Sequence, residues 1–348
     1  MTQNSKLSFE ETLRKVVFSK KCTSCAACVI VCPLNCLKYV DGKPEMVGKC
    51  NVCGICSRVC PQYYSSQHAL EKFVFGRERK LEEEFGIYRR VVVARSTDKN
   101  ILEVCQDGGV VTALLKFALR NKRIDGAAVS GTDKDKPLYP VPTLATTPQQ
   151  ILQSAGTRYS HSPNLLAFQK AIEKNRKKLA FVGTPCQIEA IRRIQTIPLK
   201  NYVEKLKLTI GLMCSGNFSY KGLVEDYIKG KLDINPSNIS KINIKGQVLL
   251  TMKSGETKAI PLKTVQPYIR KSCSTCADFS AELADISVGG LGLNGWSLVI
   301  IRNETGEKLF TDAVKAKLLE AKPIKEEKHA YNLLVILSKK QRKKKIMI

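Results

Sequence analysis

The chain has 348 residues, a hydrophobic fraction of 43%, and 57 lysines and arginines against 31 aspartates and glutamates, a formal charge of +26. That length predicts two or three domains with enough apolar content for a proper core, and no apolar run approaches the ~20 residues that would cross a bilayer. The basic residues are spread along the chain without a nucleic-acid-binding signature, which speaks against nucleic acid and for a polyanionic ligand, an acidic protein partner or a membrane surface.

The N-terminal MTQNSKLSFEETLRK lacks the apolar stretch of an export signal, so the expectation is a soluble, cytoplasmic protein. The next feature in chain order is chemical. Cys22, Cys25, Cys28 and Cys32 are followed by Pro33, and Cys50, Cys53, Cys56 and Cys60 by Pro61. Each set is a C-x2-C-x2-C-x3-C-P run, the spacing that holds cubane iron–sulfur clusters in two-cluster ferredoxins. Three close thiolates wrap one corner of a cube, and the fourth, displaced at the proline, reaches the other cube. Cys22, Cys25, Cys28 and Cys60 are therefore expected to hold one [4Fe–4S] cluster, and Cys50, Cys53, Cys56 and Cys32 the other. A disulfide framework would need an oxidising compartment. Zinc sites take paired cysteines separated by a longer loop. Cys36 falls outside the pattern and reads as a spare thiol.

Residues 1–66 thus form a two-cluster ferredoxin-like module, and 67–90 read as a linker helix. From 91 the texture changes. Strands are expected at 91–96, 126–131, 179–184 and 206–214, alternating with helices at 109–121, 164–176, 185–193 and 220–230. Such alternation argues an α/β domain over 91–320. Residues 240–263 read as a small β meander, 284–289 and 297–302 as returning strands, and 305–320 as a last helix. Residues 321–348 read as a basic C-terminal tail. Its cluster Lys339, Lys340, Arg342, Lys343, Lys344 and Lys345 is either a solvated end or an electrostatic docking tag.

A second cysteine set is dispersed: Cys186 after a strand, Cys214 at the end of another, and Cys273 with Cys276 in a C-x2-C. Spacing alone leaves open a third cubane, a zinc site, a redox-active pair or buried thiols. Gly290, Gly292 and Gly295 spell G-x-G-x-x-G, but a strand follows where the dinucleotide fingerprint needs a helix. These glycines are expected in a hairpin near a ligand. QDGGVVTALL and SAGTRYSHSPNL are better nucleotide candidates, because each offers backbone N–H groups at a helix start, and Arg158 suits a diphosphate. Capping and turn chemistry is the plain alternative. None of His68, His161 and His329 is nominated as catalytic.

The segments QDGGVVTALL, SAGTRYSHSP, FVGTPCQIEAIR, GLMCSGNFSYKG, CSTCADFSAELADISVG and NGWSLVIIR together resemble the family of coenzyme F420 hydrogenase and dehydrogenase beta subunits, in order and over nearly all of residues 90–303. The resemblance implies FAD in the α/β domain. It makes Gly108, Gly109, Val110 and Thr112, then Gly156, Thr157, Arg158 and Tyr159, then Gly183, Thr184, Pro185 and Asn217 candidates for binding it. It also implies a third [4Fe–4S] cluster on Cys186, Cys214, Cys273 and Cys276. The implied activity is that of an oxidoreductase taking a hydride from reduced coenzyme F420 onto FAD. No acid–base dyad is required. Single electrons would pass through the clusters to a complex I-like membrane assembly, with the chain held peripherally at the cytoplasmic face. A free-standing ferredoxin:F420 oxidoreductase and a flavin-free electron-transfer adaptor are the alternatives. The basic charge would steer the polyanionic F420 into its cleft.

Overall fold

A computed structural model describes residues 7–63 and 66–344. The N-terminal cysteines lie on two matching loop–helix units, with short helices at Ala27–Ile30 and Ile55–Val59. Between them runs a hairpin of β1 (Leu37–Val40) and β2 (Lys43–Met46). The chain then forms β3 (Arg90–Ser96), β4 (Gly126–Thr132), β5 (Pro140–Ala145), β6 (Leu179–Gly183) and β7 (Leu206–Leu212). An antiparallel meander of β8 (Ile239–Ile244), β9 (Gln247–Met252) and β10 (Thr257–Pro261) follows. Last come β11 (Ile286–Gly289), β12 (Ser297–Ile301) and β13 (Leu319–Pro323).

Eight strands make one mixed sheet in the order β13-β3-β12-β11-β7-β6-β4-β5. Neighbours β4, β6, β7 and β11 are parallel, and β12 lies antiparallel between β11 and β3. β3 therefore points the same way as the parallel set. The loops leaving β3, β4, β6, β7 and β11 all open at one carboxyl edge, which is where open α/β sheets bind ligands.

Helices cover both faces. On one, Val110–Arg120 and Glu304–Lys315 bury Leu114, Leu115 and Phe310 against Val92, Ala180, Ile210 and Val299. On the other, Asn164–Glu173 and Pro185–Gln195 bury Phe168, Ile188 and Ile191 against Phe181 and Leu179. That second core also takes in Cys25, Ala27, Ile30, Val31 and Val59. The cysteine-rich module is therefore not a bead on a linker but shares a core with the α/β domain.

Two expectations need correction. The linker helix over 67–90 ends at Phe75, where Gly76 turns left-handed at φ 73°. The residues beyond it are irregular and pinned instead. The buried Arg302 donates from Nη1 to the carbonyls of Phe85 and Ile87, at 3.1 and 2.9 Å. A charged residue so fully buried persists because its donors are satisfied. The expected tail over 321–348 is also folded as far as residue 344, the last one described. β13 is an edge strand of the main sheet, and Lys328–Lys343 is a helix whose Ala330 and Leu334 pack under β3 and β12. Of the expected docking cluster, Lys339 pairs with Glu84 at 2.7 Å and Arg342 with Glu282 at 2.6 Å. Lys345 lies outside the described residues. The tripeptide Gly290-Leu291-Gly292 begins the turn from β11 into antiparallel β12, and a Cβ on Gly290 would stand 2.3 Å from Asp107 Oδ2.

Candidate cofactor and cluster sites

The two cysteine runs adopt the same backbone shape. Ser24 and Val52, each two residues past the first cysteine, hold φ of 60° and 58°; Ala26 and Gly54, one past the second, hold 68° and 69°. Positive φ is costly for a β-branched valine. Holding it curls the chain inward, so that the amides of Ser24 and Val52 donate to the sulfurs of Cys22 and Cys50, each at 3.4 Å.

The fourth cysteines cross over. Burial first, then the charges of Cys60 and Cys22, push the Cys25 thiol up to about 12. Cys28 is raised by burial and by Cys25, Cys60 and Cys22. Cys60 comes from the second run, yet its neighbour among thiols is Cys22. In the other group, burial and then Cys53, Cys50 and Cys32 raise Cys56 to about 12. Thiols pressed together and out of water are costly as free thiolates, and bound cations reverse that cost. Cys36 is not remote: its sulfur lies 3.3 Å from that of Cys32.

The dispersed cysteines meet. Cys186 sits in the first turn of the helix Pro185–Gln195 after β6, and Cys214 follows β7, so adjacent parallel strands deliver them to the same edge. Cys273 and Cys276 arrive on the loop after the meander. All four line one cavity, with Thr23 and Gln341 also on its wall. Burial is the largest cause raising Cys186, and Cys25, Cys214 and Cys273 add to it. This cavity therefore borders the group of Cys22, Cys25, Cys28 and Cys60. Four thiols converging on one cavity wall are a donor set that would suit an iron–sulfur cube.

Two side chains bolt the first cysteine loop to the α/β domain. Arg270 donates from Nη1 to the Thr23 carbonyl at 3.0 Å. His161 Nε2 lies 2.9 Å from the Ser24 carbonyl. Burial, then Arg270, pulls the His161 pKa down to about 3, so the ring is neutral and its Nε2 donates.

The twelve expected cofactor-binding residues divide. Gly108 and Gly109 lie between β3 and the helix Val110–Arg120. A Cβ on Gly108 would stand 2.5 Å from the Ala94 carbonyl oxygen and 2.7 Å from the Ser297 nitrogen, and Gly109 has φ 69°. Val110 and Thr112 are buried in the helix. The loop holding Gly156, Thr157, Arg158 and Tyr159 lies alongside, because Thr157 N donates to Gln106 Oε1 at 3.5 Å. Tyr159 Oη accepts from Ile244 N at 3.2 Å. Arg158 is committed locally: its Nη1 donates to the carbonyls of Ser154, Ala155 and Gly156, and its Nε to Thr132 Oγ1. It secures the loop to β4 in place of offering a free fork. Thr184, Pro185 and Asn217 belong to the cysteine cavity instead. Thr184 Oγ1 is 3.4 Å from the Cys186 sulfur, and Asn217 N donates to Cys273 Sγ at 3.3 Å. Gly183 ends β6 at the root of that cavity.

Sequence reasoning missed the groups that close the other side of the 105–109 loop. Lys241 Nζ donates to the carbonyls of Cys105 and Gln106 at 2.9 and 3.1 Å. Lys245 Nζ lies 3.8 Å from Asp107 Oδ1 and 2.6 Å from Asn294 Oδ1. Burial raises the Asp107 carboxyl, against the pull of Lys245 and Lys241. The signal was two lysines four apart in KINIK, but a surface meander reads the same.

Comparison with known proteins agrees with this architecture. Residues 91–169 match the N-terminal model of the family "Coenzyme F420 hydrogenase/dehydrogenase, beta subunit", and residues 176–327 match its C-terminal model. The chain is 38% identical over 263 residues to the beta chain of coenzyme F420 hydrogenase from Methanothermobacter thermautotrophicus, covering 74% of this chain and 93% of that protein. It is 31% identical over 315 residues to one of the subunits of F(420)H(2) dehydrogenase from Methanosarcina mazei, covering 86% and 84%. Among solved structures, a chain of the F420-reducing [NiFe] hydrogenase complex from Methanosarcina barkeri matches with a TM-score of 0.73 at 37% identity, covering 76% of this chain and 92% of that one. With its mixed α/β sheet and both halves of the family matched in order, the chain belongs to the family of coenzyme F420 hydrogenase/dehydrogenase beta subunits.

Proposed function

We propose that this chain is an electron-entry oxidoreductase. It takes electrons from reduced coenzyme F420 and delivers them singly, through three [4Fe–4S] clusters, to a larger respiratory complex. The observation that carries the reading is the cavity shared by Cys186, Cys214, Cys273, Cys276 and Thr23. It runs from the carboxyl edge of the sheet to Thr23, the neighbour of Cys22 in the first ferredoxin-type group. The names of two relatives, a coenzyme F420 hydrogenase and an F(420)H(2) dehydrogenase, support the substrate.

FAD, when bound, supplies the conversion between the electron pair of the deazaflavin and the single electrons that iron accepts. The chain's own part is holding and positioning. Gly108 leaves no room for a side chain against Ala94 and Ser297, which holds the start of the helix Val110–Arg120 close to the carboxyl edge of the sheet, and a helix start there would suit a diphosphate. Arg158 keeps the 154–156 loop fixed beside it. Lys241 and Lys245 bring positive charge to the same loop, where an anionic substrate benefits from it. Cys22, Cys25, Cys28 and Cys60 would hold one cluster, Cys32, Cys50, Cys53 and Cys56 a second, and the four cavity cysteines a third. Among the described residues no helix is long and apolar enough to cross a membrane, so attachment to a membrane assembly would be peripheral.

The test is anaerobic mixing of the reconstituted protein with F420H2, NADH and NADPH separately, following flavin absorbance. Bleaching by F420H2 alone is expected. Equal bleaching by a nicotinamide would overturn the substrate, and purified protein without flavin would leave only an electron-carrying adaptor. Reduction of F420 by reduced ferredoxin, faster than delivery to a membrane fraction, would favour the free-standing enzyme.

A further inference from the structure

The helix Lys328–Lys343 lies beyond residue 327, where the match to the family model stops. Its buried stripe is Ala330, Leu334, Ser338 and Gln341, spaced four, four and three residues apart on one face. The stripe begins apolar and turns polar in the last turn. An apolar side chain there would satisfy packing, whereas a buried amide is costly unless it finds a partner. Gln341 is 4% exposed and stands on the wall of the four-cysteine cavity. The residues around it anchor the helix end on both sides of the C-x2-C. Arg342 Nη2 meets the buried Glu282 at 2.6 Å, and Lys344 Nζ reaches the Cys273 carbonyl at 3.4 Å.

We propose that this helix is the outer wall of the third-cluster site, and that Gln341 is a positioning residue that tunes the cluster by donating its side-chain amide to the Cys276 sulfur. The inference rests on the third-cluster reading above. Gln341 and Cys276 share the wall of that cavity, which puts a buried amide beside the ligand sulfurs. A reduced cluster carries one more negative charge, so a donor on its ligand sulfur stabilises the reduced form and raises the potential. Such a donor would favour the cluster as an electron acceptor.

The experiment is a potentiometric titration of the full-length, anaerobically reconstituted chain, followed by electron paramagnetic resonance. Wild type is compared with Gln341→Met, which keeps length and packing but removes the donor, and Gln341→Lys, which restores a donor with positive charge. Gln341→Met is expected to move one of three midpoint potentials negative and leave two unmoved. Gln341→Lys is expected to hold that midpoint at or above the wild-type value. A purely structural role would shift both variants the same way, and that result, or three unmoved midpoints, overturns the proposal. Loss of the same cluster from both variants overturns the tuning role as well. The third-cluster reading fails separately: wild-type protein would then bind about eight irons in place of about twelve, four for each cube.

Discussion

Arg270 and Thr23 are separated by 247 residues, yet the Arg270 guanidinium donates to the Thr23 carbonyl at 3.0 Å. The bond crosses from the loop that carries Cys273 and Cys276 to the loop that carries Cys22 and Cys25. It ties the two cysteine groups that an electron would traverse in sequence, and a rigid tie of this kind keeps their separation constant.

Replacing Arg270 with Met should therefore loosen the junction without touching the 105–109 loop proposed for the flavin. A charged hydrogen bond of this type contributes about 1.5–3 kcal/mol. Denaturant titration should show a loss of that order. Reduction of the bound flavin by F420H2 should be unchanged while delivery to an external acceptor slows. Slower flavin reduction with normal stability would contradict the assigned order.

The proposed crossing of the ligand sets makes a sharp prediction for single cysteines. Cys60→Ala should remove the cluster of the first run, although Cys60 belongs to the second, and Cys32→Ala should remove the cluster of the second. Iron analysis should register a loss of about four irons in each case. The surviving spectrum of Cys60→Ala should match that of Cys22→Ala. If it matches Cys50→Ala, each run holds its own cube.

Gly108 and Gly292 predict a contrast. An alanine at Gly108 would press its Cβ on the Ala94 carbonyl at 2.5 Å, so the 106–109 loop must move. Overpacking of this kind costs about 1–3 kcal/mol, and flavin content should fall with it. Gly292 has φ 79° and open space around it, so Gly292→Ala carries only the left-handed penalty of about 1–2 kcal/mol and should keep its flavin. Thermal melts and flavin absorbance separate the two.

The C-terminal helix should behave as core. Leu334 is fully buried and Ile336, two residues on, is 59% exposed. Leu334→Ala should cost about 2–5 kcal/mol, and Ile336→Ser about 0.5 kcal/mol or less. Equal, small effects in chemical denaturation would mean that the helix is only a solvated end.

Asp107 gives a pH dependence. Burial raises its carboxyl above the ordinary value. The folded chain thus holds a proton there that the unfolded chain has already lost, and stability falls as pH rises from about 4 through the raised value. Asp107→Asn should remove that fall and raise the melting temperature at pH 7 relative to wild type. A lower melting temperature there would mean that the ion pair with Lys245 outweighs the desolvation of the carboxylate.

The paired N-terminal cysteine loops were legible because their information is local. Cys22 through Pro33 and Cys50 through Pro61 repeat one spacing within a dozen residues, and ligand spacing constrains the backbone directly. Most of the alternating strands and helices from 91 to 302 were legible for the same reason, since periodicity is a property of short windows, but the edge strand β5 and the short helices Lys99–Val104 and Pro148–Gln153 were not. What only the tertiary structure decided is long-range. Cys186, Cys214, Cys273 and Cys276 share a cavity because β6 and β7 are parallel neighbours and the meander returns a loop to their carboxyl edge, and no local spacing encodes that strand order. The commitment of Arg158 to three loop carbonyls was hidden because a guanidinium aimed at a ligand and one aimed at its own loop have the same sequence. The C-terminal lysines read as a tail because charge dominates their composition. The buried stripe from Ala330 to Gln341 emerges only once β3 and β12 supply the surface that it covers.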